Sequence, residues 1–490
     1  MSRKNVSRRH FLTISGTAVA GLMAAACQPK VVEVEKIVKE TVIVEGESKV
    51  VEKVVKETVE VEKVVKETVE VQVPAEGGMN SLRLSAWADV SDAVVYANIS
   101  NAFMEMYPDM TVSVEQYPGG YYQKVLANFA AGDPADVIYF QGWRMPAYAD
   151  NMAVQPLDPF IDANNAQEFF PDTPNYNAAT KWQGKTYVTP TDCGALVTMY
   201  NKDMFDEKGI AYPEAGWTYE DMQAIIEELT YEMDGTQYYG WAQAGGWNGT
   251  YSRFLHWLRK DGEMEWDTQV EPTKAMWDKP AIWEPIQYLV NDTIDKGFCP
   301  SPDIIAGGGV GLDTGRVAMV MEGPWYMPRL WGELASQQPG VNWDCVVPAV
   351  GSDGKNHTTN YIHGHTMAAA TNNPEAAWDL IAFIISEEGE TIIANGGRMC
   401  GTPSGINNIW GPIASENYNF ANFKAFADGM AESDSVPVQV GEGMLLEGAG
   451  APITALWDAC VGVQMTAKEA CEMYNPDIQA ALDLYWADRS

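Results

Sequence analysis

The sequence predicts an α/β fold, in which strands and helices alternate and a parallel sheet carries helices on both faces. From about residue 80 onwards, short runs of alternating apolar and polar residues are followed by longer stretches with helical character. Hydrophobic residues make up 46% of the 490-residue chain and charged residues 20%, so most of the chain should be globular. The length exceeds what one core usually holds, which predicts two or three structural units.

The alternation is clearest at the start of the globular region. The predicted order is a strand over 82–89, a helix over 92–107 that Pro108 ends, a strand over 110–116, a helix over 121–131 and a strand over 136–140. In sheets of this kind, ligands bind beyond the carboxyl ends of the strands. The residues that follow the strands are therefore candidate ligand contacts, with packing or loop roles as the alternative: Trp87, Asp89, Tyr117, Phe140, Gln141 and Trp143.

The N-terminus has the features of an export signal. Four basic residues precede an uncharged apolar stretch over 11–26, which is shorter than the roughly 20 residues that a membrane span needs. Residues 7–12 (SRRHFL) resemble a twin-arginine motif, and 24–27 (AAAC) resemble the lipobox of bacterial lipoproteins, with Ala24 in place of the usual leucine. The resemblance implies a twin-arginine-type lipoprotein signal peptide at 1–26 and a lipid on the Cys27 thiol. A plain signal peptide is the alternative.

Residues 27–78 begin with Cys27 and continue as a low-complexity spacer of Val, Glu and Lys repeats. The ten residues 51–60 recur identically at 61–70, and a close copy begins at Val34. Ten residues advance an α-helix to about 80° short of three turns, so no apolar stripe persists and the segment cannot bury a core of its own. Fully extended, it would reach at most about 160 Å. We interpret it as a spacer between a lipid anchor and the globular region, with a coiled-coil or β-rich assembly segment as the alternative.

The composition limits the class of ligand. The formal net charge is −35, from 67 acidic and 32 basic side chains, and so acidic a chain repels nucleic-acid phosphates. Nucleic acid is thereby excluded as a partner, and solubility outside the cell accounts for the charge. The 17 Trp and 22 Tyr residues are numerous, and their flat rings suit stacking on sugar rings, although many belong in an ordinary core.

The cysteines and histidines predict neither a metal site nor a cofactor. His363 and His365 flank Gly364, but two ligands without a neighbouring Cys or carboxylate cluster do not make a metal site. Six cysteines follow Cys27 without a CxxC pair or zinc-type spacing. Disulfides are permitted outside the cell, and their pairing stays open. The six are Cys193, Cys299, Cys345, Cys400, Cys460 and Cys471.

Five further motifs occur in the order in which a known family has them. They are AGDPADV at 131–137, KTYVTP at 185–190 with MYNKDMF at 199–205, Pro213 with Trp217, GRVAMVMEGPW at 315–325, and the helix that begins NPEAAW at 373–378. Over about residues 80–490 the chain resembles the extracellular solute-binding proteins, the sugar-binding group typified by maltose-binding protein.

The resemblance implies a type II periplasmic-binding-protein fold, with two lobes that are each a mixed sheet flanked by helices and a ligand in the cleft between them. It places one lobe at 79–190 and 362–415 and the other at 191–361 and 416–490. The lobes would close around the ligand without any covalent chemistry. The implied protein is a monomer, lipid-anchored at the outer face of a bacterial cell membrane, that delivers a mono- or oligosaccharide to the permease subunits of an ABC importer.

The polar residues of the candidate site fit a ligand with many hydroxyl groups. Carboxylates accept hydroxyl protons, and Asp89, Asp192 and Glu322 are candidate acceptors. Gln141 and Arg398 are candidate donors, and an arginine at 398 would equally suit an acidic sugar or a carboxylate.

The resemblance adds aromatic contacts. Trp325 matches the position of a stacking tryptophan, with core packing beside Pro324 as the alternative. Trp247 lies in a glycine-rich loop that resembles an aromatic cleft position, with a plain turn as the alternative, and His363 falls in a predicted hinge crossing.

Other functions stay open at this point. Paired carboxylates and aromatics would also serve a glycoside hydrolase, although no nucleophile elbow, phosphate loop or HExxH motif is present. A surface adhesin would explain the repeats but not the ordered motifs. Within the binding class, a peptide, a polyamine or a phosphodiester competes with a sugar.

Overall fold

The computed structural model describes residues 31–44, 47–60, 80–88, 90–117, 119–243, 251–327, 330, 341–417, 422–434, 440, 442–446 and 451–487. The chain divides into two compact units, Met1–Val73 and Pro74–Ser490. Three residues with predicted roles, Cys27, Asp89 and Trp247, lie outside the described ranges.

The first unit contains two paired strands. Strands β1 (Val31–Val44) and β2 (Glu47–Glu60) are antiparallel, and their register runs from Val31 opposite Glu60 to Val44 opposite Glu47. These residues are therefore extended, in agreement with the β-rich alternative and not with a coiled coil.

The second unit contains a mixed sheet of six strands. Its order is β4–β3–β5–β15–β6, and β9 pairs with β15. The β3 strand is parallel to β4 and β5, as the sequence predicts, whereas β15 is antiparallel to β5, β6 and β9 and makes the sheet mixed. The strands are β3 (Ser81–Ala86), β4 (Thr111–Gln116), β5 (Val137–Gln141), β6 (Val154–Gln155), β9 (Asp192–Ala195) and β15 (Asn360–Ala368), with β7 (Lys181–Trp182) and β8 (Lys185–Thr186) as a separate pair.

A second sheet of five strands has the order β11–β12–β13–β10–β14. All six residues of β13, which ends at Glu322, are buried, as is typical of a strand covered on both faces. The strands are β10 (Val197–Asn201), β11 (Tyr231–Met233), β12 (Thr236–Ala242), β13 (Val317–Glu322) and β14 (Trp343–Val346).

The helices begin and end where the local chemistry favours it. The helix that follows β4 ends at Gly132, which takes the left-handed conformation at φ 72° that a residue with a Cβ adopts only at a cost. Asn373 caps a later helix, because its side chain accepts a hydrogen bond from the backbone N–H of Ala376. Pro108 follows the first helix closely and prevents its extension.

The helices between the strands of the first half are α1 (Val90–Met106), α2 (Tyr121–Ala131), α3 (Met145–Asp150), α4 (Asp158–Asn164), α5 (Pro174–Thr180), α6 (Lys202–Lys208), α7 (Tyr219–Glu228) and α8 (Leu255–Leu258). Those of the second half are α9 (Pro280–Ile286), α10 (Thr293–Asp295), α11 (Pro302–Ala306), α12 (Pro374–Ile384), α13 (Glu387–Asn395), α14 (Pro403–Gly405), α15 (Gly411–Asn417), α16 (Lys424–Glu432), α17 (Glu442–Leu445), α18 (Pro452–Val461) and α19 (Ala467–Ala487).

Within the described ranges, no helix combines the length and the apolar character of a membrane span. The six cysteines of the globular region are buried free thiols. The same ranges contain no group of three or more His, Cys, Asp or Glu side chains that could hold a metal ion.

Candidate functional site

Arg398 joins two carboxylates that are far from it in sequence. Its Nε donates to Oδ1 of Asp92 at 2.8 Å, and its Nη2 lies 2.7 Å from Oδ2 of the same carboxylate, a forked pair. Its Nη1 pairs with Oδ2 of Asp192. The guanidinium carbon lies 6.0 Å from the ring centroid of Tyr96 and 5.8 Å from that of Tyr139, within cation–π range.

Asp192, the first residue of β9, is the centre of this network. The Tyr139 hydroxyl donates to its Oδ1 at 3.2 Å, and Nδ1 of His363 lies 3.1 Å from the same oxygen. Burial alone would raise the pKa of Asp192, but the Arg398 charge and the His363 hydrogen bond outweigh burial and hold the pKa well below its usual range. Asp192 is therefore an ionised acceptor at neutral pH.

His363 has one ring nitrogen in the network and one outside it. Nδ1 is also 2.9 Å from the Tyr139 hydroxyl, whereas Nε2 is buried with no hydrogen-bond partner among the described residues. A buried polar atom in this state favours a ligand that supplies the missing hydrogen bond. His365, two residues on, is different: burial lowers its pKa to about 3, and its Nδ1 bonds the Thr191 hydroxyl.

An aromatic group lies beside the network. The Tyr361 ring is 5.3 Å from Trp143 and 5.5 Å from Trp325, in edge-to-face contact with both. Trp143 also contacts the His363 ring edge-on at 5.4 Å. These contacts join residues that surround the first sheet to Trp325, which follows β13 of the second sheet.

Trp325 is 37% exposed but is held by buried partners. Its Nε1 donates to Oε1 of Glu322 at 2.8 Å, Glu322 pairs with Arg253, and the Arg253 guanidinium lies 5.8 Å from the indole ring. A Cβ at Gly194 would lie 2.6 Å from Pro324 Cδ and 2.8 Å from Trp325 Cζ3, so only glycine lets the indole lie against β9. The result is a rigid ring with one part open to solvent.

Gln141 lies opposite His363 in the pairing of β5 with β15. Its backbone N–H donates to the Tyr122 hydroxyl at 2.8 Å, and its side-chain oxygen accepts from Nε of Arg144 at 3.1 Å. The Arg144 guanidinium in turn lies 4.1 Å from the Tyr122 ring centroid.

The structure thus brings together most of the described residues that the sequence predicts for the site. Trp87, 40% exposed after β3, and Tyr117, whose hydroxyl donates to Glu115 at 3.1 Å, have no described contact with this group. The joined residues are Gln141, Trp143, Asp192, Glu322, Trp325, His363 and Arg398.

Phe140 contradicts its prediction as a ligand contact. Its side chain is fully buried and packs edge-on against Tyr148 at 4.6 Å. Successive side chains of a strand point to opposite faces, so Phe140 lies in the core.

Five residues of the site are not predicted from the sequence: Asp92, Tyr139, Arg144, Arg253 and Tyr361. The sequence does contain a signal for Tyr139 and Tyr361. Tyr139 lies two positions from Gln141 on β5, and Tyr361 lies two positions from His363 on β15, so each shares a strand face with a predicted residue. Asp92 and Arg253 carry no local signal, since their partners are distant in sequence.

A separate cavity of about 700 Å³ lies beside β14 and α16. Its lining includes Val346, Lys355, Asn356, Asp428 and Glu432 and none of the predicted site residues.

The sequence matches known proteins over most of the globular region. The profile of the bacterial extracellular solute-binding protein family matches residues 88–391, more than half of the chain. Candidate binding proteins of Brucella abortus (strain 2308) and Brucella suis biovar 1 (strain 1330) are 24% identical over 307 residues, which is 60% of this chain and 69% of theirs.

Solved structures share the fold. An ABC substrate-binding protein of Listeria monocytogenes in complex with cycloalternan is 19% identical, with a TM-score of 0.69 over 82% of this chain and 99% of its own. The GacH receptor of Streptomyces glaucescens has a TM-score of 0.67 at 18% identity, over 83% of this chain and 99% of its own. The maltose/maltodextrin-binding domain of Bdellovibrio bacteriovorus, bound to maltotriose, has a TM-score of 0.63 at 18% identity, over 82% and 99%.

Proposed function

The chain belongs to the bacterial extracellular solute-binding protein family, and on that premise we propose that it captures a mono- or oligosaccharide and delivers it to an ABC importer. The family consists of binding proteins, which confirms the prediction that the chain is not an enzyme and implies a location outside the cytoplasm. The likeness to solved binding proteins confirms the predicted two-lobe type II fold.

The observation that carries the carbohydrate proposal is the fixed, partly exposed Trp325 ring beside buried polar groups. A sugar ring presents an apolar C–H face, which suits an indole, and hydroxyl groups that both donate and accept hydrogen bonds. Glu322 and Asp192 are acceptors, and Nε2 of His363, which has no hydrogen-bond partner within the described ranges, is a further hydrogen-bonding atom at the same place. The ligands of the similar structures, cycloalternan and maltotriose among them, support the same class.

A thermal-shift screen tests this proposal. The purified protein is screened against mono- and oligosaccharides, amino acids, peptides and polyamines. A ligand that binds only the folded state raises its stability by about 2.7 kcal/mol at one hundred times its dissociation constant. We expect a sugar to shift the transition, to be recovered unchanged, and to lose its effect in Trp325→Ala. The control is Trp283→Ala, a partly exposed tryptophan on α9 outside the site. A shift caused by peptides or polyamines alone would reject the carbohydrate proposal.

We propose in addition that residues 1–26 are removed and that a lipid on Cys27 holds the protein at the outer face of the membrane. The twin-arginine motif and the lipobox-like 24–27 segment support this. We expect Cys27→Ser to move the protein from the membrane fraction to the soluble extracytoplasmic fraction, and replacement of both Arg8 and Arg9 by Lys to stop export. Membrane retention of Cys27→Ser would contradict the lipid anchor.

A further inference from the structure

The guanidinium of Arg398 is the group in the site best suited to grip an anion, and the protein occupies it. A guanidinium recognises a carboxylate or a phosphate through two parallel N–H bonds from one edge of its fork. In this structure the Nε/Nη2 edge is bound by both oxygens of Asp92, at 2.8 and 2.7 Å, and Nη1 is bound by Asp192. A ligand carboxylate would have to displace Asp92 to reach that edge.

The two other described arginines of the site also have partners within the protein. Arg253 pairs with Glu322, and Arg144 stacks on Tyr122 and donates to Gln141. The described arginines and carboxylates of the site balance, three against three, so their formal charges sum to zero: Arg144, Arg253 and Arg398 with Asp92, Asp192 and Glu322.

This balance has different consequences for charged and for neutral ligands. An anion that enters loses its hydration shell and meets buried carboxylates, while the Nε/Nη2 edge of Arg398 is already bound by Asp92. A hydroxyl group loses much less on desolvation, and it can donate to Asp192 or Glu322 while it accepts from an N–H. The buried Nε2 of His363, which has no partner among the described residues, offers one more hydrogen bond.

We propose that the site neutralises itself and thereby selects uncharged carbohydrates, rejecting uronates and sugar phosphates, with Asp92 as the residue that determines this specificity. The inference rests on the proposed function, since it assumes that the ligand is a carbohydrate. The sequence leaves open whether Arg398 binds an acidic ligand. On this inference, Arg398 is instead the structural partner of Asp92 and Asp192.

The wild-type protein gives the first test. Isothermal titration calorimetry compares a neutral glycan library that includes maltotriose, mannobiose, mannotriose and tagatose with an acidic library of glucuronate, digalacturonate and glucose 6-phosphate. We expect binding within the neutral set and at least about a hundredfold weaker binding of every acidic probe, the scale of losing a charge-assisted hydrogen-bonded pair. An acidic probe that binds as tightly as the best neutral one overturns the inference and leaves the carbohydrate proposal intact. No binding in either library rejects the carbohydrate proposal, and the inference with it.

Asp92→Asn gives the second test, because it removes one negative charge and loosens the fork. We expect the preference for the neutral ligand over digalacturonate to fall at least about tenfold relative to wild type. The control is Asp133→Asn, which removes a carboxylate from Arg83 at a site exposed to solvent, and it should leave the preference unchanged. The thermal transition of Asp92→Asn verifies that the variant is folded. If the folded variant keeps the wild-type preference for the neutral ligand, Asp92 does not determine the specificity. If Asp92→Asn does not fold, the wild-type comparison alone decides the inference.

Discussion

Arg398 and Arg259 are both buried guanidiniums bound to carboxylates, but they tie together very different stretches of chain. Arg259 takes its partners from the next ten residues: its Nε and Nη2 meet the two oxygens of Glu265 at 3.0 and 2.7 Å, and its Nη1 donates to Gln269 at 2.5 Å. Arg398 takes its partners from 306 and 206 positions away. The side chains of Arg259 and Glu265 are 2% and 0% exposed, whereas those of Arg398 and Asp92 are 20% and 21% exposed.

A buried guanidinium bound to carboxylates therefore serves two different purposes in this protein. Arg259 and Glu265 are close in sequence and are both buried, so the loss of their ion pair should lower the free energy of unfolding. The Arg398 cluster forms only when three distant segments have come together, and it lies beside the exposed Trp325 platform. Its alteration should appear in ligand affinity.

The largest expected effect is on the local pair. Glu265→Gln removes the carboxylate charge that pairs with the buried Arg259 guanidinium, and we expect the free energy of unfolding to fall by about 3 to 5 kcal/mol. Urea denaturation measures this, and ligand titration of the folded protein should show unchanged affinity. The control is Glu263→Gln, an exposed carboxylate paired with Lys279 at 2.8 Å, for which we expect a change within about 0.5 kcal/mol. Equal effects of the two substitutions would contradict the structural role of the buried pair.

Arg398→Lys tests the other side of the comparison. An ammonium group cannot hold both oxygens of Asp92 and reach Asp192 as well, so the cluster loses its geometry while it keeps its charge. We expect affinity for the sugar found in the screen to fall about a hundredfold, which corresponds to about 2.8 kcal/mol. Arg83→Lys is the matched control, because Arg83 also bridges two carboxylates, Glu115 and Asp133, outside the site. A loss of stability with unchanged affinity would remove the distinction between the two clusters.

Glu390 is a buried carboxylate that has no cation partner in the part of the chain that the structure describes. Among the described residues, Glu390 accepts from the Thr402 hydroxyl at 2.6 Å and the Thr402 N–H at 3.2 Å, and burial raises its pKa to about 7 although these bonds lower it. Because the unfolded chain releases this proton near pH 4.5, the folded state binds more protons between pH 4.5 and 7. The free energy of unfolding should therefore fall as pH rises through that window.

Glu390→Gln should abolish the part of the fall in the free energy of unfolding, between pH 4.5 and 7, that comes from this carboxyl group. Between pH 5 and pH 8, we expect wild type to lose about 1 to 2 kcal/mol more stability than the variant. Taking the difference between two pH values cancels any packing effect of the substitution itself. Glu387→Gln, on the exposed side of the same helix, should keep the wild-type slope. Parallel slopes for wild type and Glu390→Gln would contradict the raised pKa.

The local part of the fold could be predicted from the sequence, because it depends on near neighbours. The first three strands and two helices of the globular region agree with the structure to within a few residues, since side-chain alternation, Pro108 and Gly132 set their limits. The place of β15 in the first sheet could not be derived in this way, because its partner strands β5, β6 and β9 are all more than 160 residues earlier.

The site shows the same division. Trp325 is predicted from a motif, His363 from the hinge crossing that the family resemblance implies, and Gln141 from its position after a strand. Phe140 was misplaced, because the position after a strand does not say which face a side chain takes. Arg398 was predicted to donate to a ligand, whereas its fork is bound by Asp92, whose position in sequence gives no sign of the contact.

The smallest expected effect concerns a charged cluster at the surface of the larger unit. His357 lies 2.9 Å from Asp434 through Nδ1 and 2.9 Å from Asp353 through Nε2, so both ring nitrogens donate only when the imidazole is protonated. Burial lowers the pKa of His357, but hydrogen bonds and charges from the two carboxylates outweigh it and raise the pKa above 6.5.

When folding raises the pKa of a histidine, the stabilisation is complete below pH 6.5 and is lost as pH rises through the folded-state pKa. Because both carboxylates are partly exposed, we expect His357→Gln to cost about 0.5 to 1 kcal/mol at pH 6 and progressively less towards pH 9. Asp434→Asn should weaken the same pH dependence, and a stability difference that is constant from pH 6 to 9 would show that the imidazolium contributes nothing there.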